Sequence, residues 1–188
     1  IEDGITELWI TPISLKDVIT DVLLFIDPIA KKANIQISVL SNQTFTINAD
    51  LIKFKQVLIN LISNAIKYNS KLGSVMIKWQ LVSNNHVRIS VTDTGVGISV
   101  DNQKKVFSAF SRFGFENSTI EGTGIGLTIT KDLVEMMGGE IGFESVEHKG
   151  STFWLEFPVI DPSLDIKPLD FFAQELGAES EFENKHIL

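Results

Sequence analysis

Gln56-Val57-Leu58-Ile59-Asn60-Leu61-Ile62-Ser63-Asn64-Ala65-Ile66-Lys67-Tyr68 carries two patterns at once. Leu51, Phe54, Leu58, Leu61 and Ala65, flanked by Val57, Ile62 and Ile66, recur at three and four and predict one packed helical stripe. Lys53, Gln56, Asn60, Asn64 and Lys67 form the opposite stripe, made of amines and amides. Two glycine segments follow downstream, Asp93-Thr94-Gly95-Val96-Gly97-Ile98 and Gly122-Thr123-Gly124-Ile125-Gly126-Leu127. A glycine-rich turn that opens a helix aims backbone N–H groups and the positive helix end at an anion. An acid followed by Gly95 and Gly97 leaves room for a ligand against the backbone. Amide oxygens one helical turn apart are hard donors suited to Mg²⁺. In this order the three segments point to a nucleotide pocket: an acid for a base edge, glycine backbone for phosphates, amides for a metal.

Each segment also has a plainer reading. The second glycine segment alone is a flexible loop and a helix start. It lacks the Gly-Lys-Ser/Thr of a Walker loop, and a long loop rather than a strand precedes it. Asp93 ends the alternating run Val87, Ile89, Val91 and by itself is an ordinary turn residue. As a ligand, its carboxylate suits the exocyclic amine of adenine and rejects the carbonyl of guanine. Asn60, Asn64 and Lys67 read equally as solvated surface groups, or as metal ligands (Asn60, Asn64) and a phosphate contact (Lys67).

Composition narrows the class. The 188 residues are 44% hydrophobic and 21% charged, as in a globular domain with a real core. No apolar run reaches the roughly 18 residues of a membrane span. Val18 to Ala30 is interrupted by Asp21, Asp27 and Pro28. Glu2 and Asp3 stand where a signal peptide carries basic residues. Cysteine is absent, which excludes disulfides and fits a reducing, cytoplasmic setting. His86, His148 and His186 are scattered. The net charge of −8 argues against nucleic acid as a partner. Much of that charge lies in Asp161, Asp165, Asp170, Glu175, Glu179, Glu181 and Glu183.

Residues 1–13 read as an extended entry segment. Ser14 is placed to cap a helix over Leu15 to Ala33, with Pro28 as a kink or break. Ile35, Ile37 and Val39, then Phe45 and Ile47, alternate as strands. Asp50 caps the second helix, to about Tyr68. Val75 to Val82 and His86 to Thr92 are strands joined by Ser83-Asn84-Asn85. The long connection from Gly95 to Thr123 reads as a lid or a disordered loop, with a short helix at Asp101 to Phe110. Gly124 to Met137 is a third helix ended by Gly138-Gly139. Glu140 to Val146 and Ser151 to Pro158 form a second hairpin. The order predicts an α+β fold, a two-layer α/β sandwich with a mixed sheet of five strands or so and three helices on one face.

These residues resemble the ATP-binding catalytic domain of sensor histidine kinases, within the group that shares the Bergerat nucleotide-binding fold. Asn60 to Tyr68 is similar to that family's N box and Asp93 to Gly97 to its first glycine box. Val106-Phe107-Ser108-Ala109-Phe110-Ser111-Arg112-Phe113 is similar to its F box. Gly122 to Leu127 is similar to its second glycine box, and Gly150-Ser151-Thr152-Phe153 to its closing turn. The likeness covers about residues 10–160, so the domain is placed at 1–160.

The resemblance implies ATP and Mg²⁺ as cofactors. Asp93 would bind the adenine amine, helped through water by Thr152. Asn64, with Asn60, would hold the metal. Lys67, Arg112 and the backbone at Gly124, Gly126 and Leu127 would hold the phosphates, with Gly122, Thr123 and Ile125 completing that loop. Tyr68 and Ile98 would line the base or ribose. The Ile98 to Gly122 segment would be the lid, anchored by Phe107, Phe110 and Phe113 to the core or to a neighbouring domain unless these merely pack. Hydrolytic members of the group carry a glutamate where Asn60 stands. An amide cannot take that proton at neutral pH, so phosphoryl transfer by a protein histidine kinase is implied, with Asn60, Lys67 and Arg112 as its catalytic groups. The other reading is a nucleotide-gated interaction module without kinase activity.

No histidine here sits in a helical phosphoacceptor motif, so the resemblance implies a partner: a dimerisation domain bearing the histidine. The chain alone is expected not to autophosphorylate. The acidic stretch 161–188 reads as a linker, and Asn184-Lys185-His186-Ile187-Leu188 resembles the first strand of a response-regulator receiver domain. A hybrid-kinase parent, with that receiver as a second partner, is therefore expected, and no membrane contact by this segment.

Overall fold

The computed structural model describes residues 7–41, 43–82, 85–109 and 124–160. Arg112, Gly122, Thr123, Phe110, Phe113, the Ser83-Asn84 part of the first hairpin turn, and the acidic stretch 161–188 lie outside the described residues. The elements run β1 (Ile10–Ser14), α1 (Leu15–Ala33), β2 (Gln36–Val39), β3 (Thr46–Asp50), α2 (Leu51–Lys67), β4 (Ser74–Val82), β5 (His86–Asp93), α3 (Val100–Gln103), α4 (Gly126–Met136), β6 (Glu140–Val146) and β7 (Gly150–Ile160).

Local chemistry sets the two long helices. Ser14 Oγ accepts from the Asp17 amide at 3.5 Å and opens α1. Asn34, in the left-handed region at φ 56°, closes it, and the helix runs through Pro28 without ending there. Asp50 Oδ1 accepts from the amides of Ile52 and Lys53, both at 3.0 Å, and opens α2. Its other oxygen accepts from Trp9 N–H at 2.9 Å, so one carboxylate ties the entry strand to the start of α2.

Among the described residues, seven strands form one mixed sheet ordered β1-β3-β7-β5-β4-β2, with β6 also on β7. Sequence alone suggests about five. One strand beyond that expectation is β1, read from sequence as an extended entry segment, which lies antiparallel to β3 with Ile13 opposite Ile47. The central strand is β7. One edge pairs with β5 along most of its length, Thr92 opposite Thr152 and Val87 opposite Phe157. Its other edge takes β6 from Gly150 to Glu156 and then β3 at Val159 and Ile160. β2 joins β4 in parallel at the edge.

Alternation along the inner strands turns Val75, Ile77 and Trp79, then Val87, Ile89 and Val91, then Phe153, Leu155 and Phe157 to one face. The three long helices cover that face. α2 lies centrally between α1 and α4 and buries Phe54, Val57, Leu58, Leu61, Ile62, Ala65 and Ile66. Phe54 meets Phe157 edge to face at 5.4 Å. The other face carries Arg88 paired with Glu156 and stacked 4.3 Å over Trp154.

Two boundaries differ from the sequence expectation. α3 spans Val100–Gln103 rather than 101–110. Beyond it, bonds such as Lys105 N–H to Asn102 and Ser108 N–H to Lys105 run over three residues, and the chain continues as tight turns. α4 starts at Gly126, two residues later than Gly124, which takes φ +71°.

Candidate functional site

The strand alternation that makes the core also points Asp93, the last residue of β5, into it, leaving the residue 7% exposed. Asp93 Oδ1 accepts from Gly95 N–H at 2.8 Å and from Ser151 N–H at 3.3 Å. Burial raises its pKa, and the Gly95 and Ser151 amides pull the other way. Among the described residues Oδ2 has no hydrogen-bond partner. A buried carboxylate with one oxygen held and one open is an acceptor waiting for a donor.

The glycine loop after Asp93 is pressed against two neighbours. A side chain at Gly95 would place Cβ 2.2 Å from the Tyr68 carbonyl, which also accepts from Val96 N–H at 3.2 Å. Gly97 takes φ +66°, and a Cβ there would stand 2.1 Å from the Val146 carbonyl. Loop, helix end and β6–β7 hairpin thus meet with no room for side chains.

Between them lies a cleft of about 400 Å³, counting the part open to solvent. Asn64, Ala65 and Tyr68 of α2 form one wall, and Asp93, Ser151 and Phe153 form the floor. Val96, Gly97 and Ile98 close one side, and Leu127 of α4 approaches from the other. Among the described residues the Asn64 side chain has no hydrogen-bond partner. Lys67 stands beside the cleft with Nζ 4.9 Å from the Tyr68 ring centroid.

Asn60 is separated from Asn64. Its Nδ2 donates to Thr130 Oγ1 at 2.7 Å, and a Cβ on Gly126 would lie 2.6 Å from its Oδ1. Asn60 therefore staples α2 to the start of α4 and lines a second groove with Gly126, Ile129 and Thr130. The pairing of both amides on one metal is not the arrangement found here, because i and i+4 residues share a stripe while α4 covers only the first.

Thr152 is a second correction. Strand alternation turns it to the opposite face, where its hydroxyl meets that of Thr92 at 3.0 Å. Ser151 and Phe153 face the cleft instead. Counting the period of two back from buried Phe153 identifies Ser151 from sequence.

Gly124 and Ile125 precede α4, and Gly126 and Leu127 begin it. Of the aromatic box, Val106 is buried and Phe107 meets Phe143 at 5.8 Å. Phe143 in turn stacks on cleft-lining Phe153 at 5.6 Å. Thr128 Oγ1 donates to the Phe107 carbonyl at 3.1 Å. Phe107 is thus anchored to the core. No group of three His, Asp or Glu among the described residues forms a metal cage.

Residues 49–161 match the family described as histidine kinase-, DNA gyrase B-, and HSP90-like ATPase, and the chain belongs to it. Among its relatives, the sensor protein GacS of Pseudomonas syringae pv. syringae is 36% identical over 163 residues, covering 82% of this chain and 18% of the relative. RpfC, a sensory/regulatory protein of Xanthomonas campestris pv. campestris, is 36% identical over 154 residues, covering 78% of this chain and 21% of the relative. The chain thus spans about a fifth of the curated relatives' length.

Solved structures agree on the fold. The catalytic domain of the histidine kinase ThkA, in a nucleotide-free form, superposes with TM-score 0.68 at 32% identity over 80% of this chain and 95% of that one. Full-length ShkA in complex with AMPPNP gives TM-score 0.70 at 32% identity, covering 81% of this chain and 32% of that one. The architecture is that of a histidine kinase catalytic domain.

Proposed function

We propose that this domain holds Mg²⁺-ATP and donates its γ-phosphoryl group to a histidine on a separate dimerisation domain. The observation that carries this reading is Asp93: a buried carboxylate with one oxygen open at the floor of a cleft, matched to the amine edge of adenine. ShkA, a structural relative, was solved with AMPPNP, which supports an adenine nucleotide as the ligand. Asn64 is the residue to hold Mg²⁺. Its amide oxygen, without a hydrogen-bond partner among the described residues, fits a hard cation that brings phosphate oxygens and water as its other ligands. Bound there, Mg²⁺ would neutralise phosphate charge.

Lys67, beside the cleft, and Arg112 complete the cationic side, and the backbone from Gly122 to Leu127 carries the phosphates. Ser151 takes the role first assigned to Thr152. Asn60 positions α4 and offers no base to activate water, which favours transfer over hydrolysis. In the transfer, the imidazole nitrogen bonds to the γ-phosphorus, the bond to the β–γ bridging oxygen breaks, and ADP leaves. ATP as donor sets the site on the cytoplasmic side. A response-regulator receiver is the proposed next acceptor. ThkA was solved in complex with the response regulator protein TrrA, and that kinase superposes here with TM-score 0.67 at 30% identity. Residues 1–160 are the proposed domain, and 161–188 the linker.

The test mixes this chain with a histidine-bearing dimerisation domain and γ-labelled ATP. Acid-labile label on the acceptor, absent when this chain is incubated alone, is the expected result. Tight ATP binding with no phosphohistidine would instead identify a nucleotide-gated interaction module. Rapid steady-state phosphate release by the chain alone would identify a hydrolase.

A further inference from the structure

Behind the cleft floor, Gln103 and Ser145 form a polar pair to which the proposed chemistry assigns no role. Ile98 closes the cleft, and both of its backbone groups are held from the same side. Its N–H donates to Ser145 Oγ at 2.8 Å. Its carbonyl accepts from Gln103 Nε2 at 2.9 Å. The same Nε2 donates to the Ser145 carbonyl at 3.0 Å. The Ser145 hydroxyl also donates to the Gly150 carbonyl at 3.1 Å and lies 2.9 Å from Ser151 Oγ. Ser151 N–H then reaches Asp93 Oδ1. An unbroken path of hydrogen bonds therefore runs from Asp93 through Ser151 and Ser145 to Ile98 and Gln103.

The orientation of the Gln103 amide follows from its neighbours. Both partners are carbonyl oxygens, which accept only, so the NH₂ end must face them. One side chain at the end of α3 thereby clips the glycine loop to strand β6. The loop itself has no side chains at Gly95 and Gly97 with which to hold its shape. It is fastened at its start to Tyr68, through Val96 N–H, and at its far end by this clasp.

We infer that Gln103, acting with Ser145, is a positioning residue for nucleotide binding: it holds Ile98 and Ser151 at the adenine end of the cleft. This rests on the reading of the cleft as an adenine-nucleotide site. Gln103 does not line the cleft. It pre-shapes the wall, so the ordering of the loop is already met before the nucleotide arrives. It also sits where α3 leads to Val106 and Phe107, so the wall of the base site and the anchored aromatic segment share one fastening.

The test measures ADP affinity by titration calorimetry on the full 188-residue chain and three variants of Gln103. Gln103→Met keeps length and loses both donors. Gln103→Glu keeps shape and sets a carboxylate against two carbonyls. Gln103→Lys restores donors on a chain of similar reach. Loss of one or two hydrogen bonds predicts about three- to tenfold weaker ADP binding for Met, and at least as much for Glu. Lys is expected to recover binding to within about twofold of the parent. Ser145→Ala is expected to weaken ADP in the same direction, and it decides the matter if Gln103→Met does not fold. Unchanged ADP affinity in Met, or a Lys variant no better than Met, overturns the inference while leaving the cleft assignment intact. A parent chain that binds no ADP overturns both.

Discussion

Asp93 answers two opposed demands. Burial disfavours its charge, while the adenine amine needs that charge as an acceptor. Its folded pKa is raised above the ordinary 3.8, so the folded state keeps the proton longer as pH rises. Stability from this group is present below 3.8 and is lost as pH climbs through the folded value. Asp93→Asn removes the buried charge while its amide oxygen can still accept from Gly95 and Ser151. Without nucleotide, the variant is expected to melt no lower than the parent at pH 7. With nucleotide, loss of a charged acceptor predicts about ten- to hundredfold weaker ATP. Calorimetry and thermal unfolding on the same sample decide it, and unchanged ATP affinity would sink the assignment. Asn64→Ala is expected to weaken Mg²⁺-ATP more than metal-free ATP; equal losses would remove Asn64 from the metal. Ser151→Ala is expected to weaken ATP whereas Thr152→Ala leaves it unchanged, and the reverse order would restore Thr152. Asp93 and Asn64 were legible as chemistry in the sequence, whereas the reading there assigned Thr152 and not Ser151. Which of Ser151 and Thr152 faces the cleft follows from the alternation of β7 about buried Phe153; only the pairing of β7 with β5 then sets Ser151 against Asp93.

At the scale of elements, caps did most of the specification. Ser14 and Asp50 start α1 and α2 at the residues their side chains dictate. Asp50 adds a bond that sequence does not announce, to Trp9 across the sheet edge. The amides of Lys53, Trp9 and Ile52 hold its pKa below the ordinary 3.8. Its stabilising effect is therefore full above 3.8 and lost as pH falls through the lowered value. Asp50→Ala is expected to cost about 1–2 kcal/mol at pH 7. Urea unfolding at pH 7 and in acid should show the gap between parent and variant closing in acid; a gap that persists would mean the carboxylate is not the source. α3 was the element least legible. A helical pattern continues past Gln103, but Val106 and Phe107 are drawn into the core and the turns tighten to follow.

At the scale of the whole molecule, one apolar core among the described residues joins the three long helices to a seven-stranded sheet. Phe157 sits at its centre, fully buried, edge-on to Phe54 and close beneath Gly139. Phe157→Ala is expected to cost about 3–5 kcal/mol, a large share of the stability of a domain this size. A drop of less than about 1 kcal/mol in chemical denaturation would contradict the packing. The amino-acid order already contained the helices, most strands, the two-layer plan and the list of cleft chemistries, because periodicity, caps and glycines are local properties. Folding decided what depends on distant partners. β1 became a strand because β3 lies beside it. Asn60 and Asn64 share a helical stripe, yet α4 covers one and leaves the other open to the cleft. Gln103 and Ser145, forty-two positions apart, became one clasp because the β6–β7 hairpin brings them within hydrogen-bond distance. A linear pattern can state what a side chain offers; only the packed chain settles what it meets.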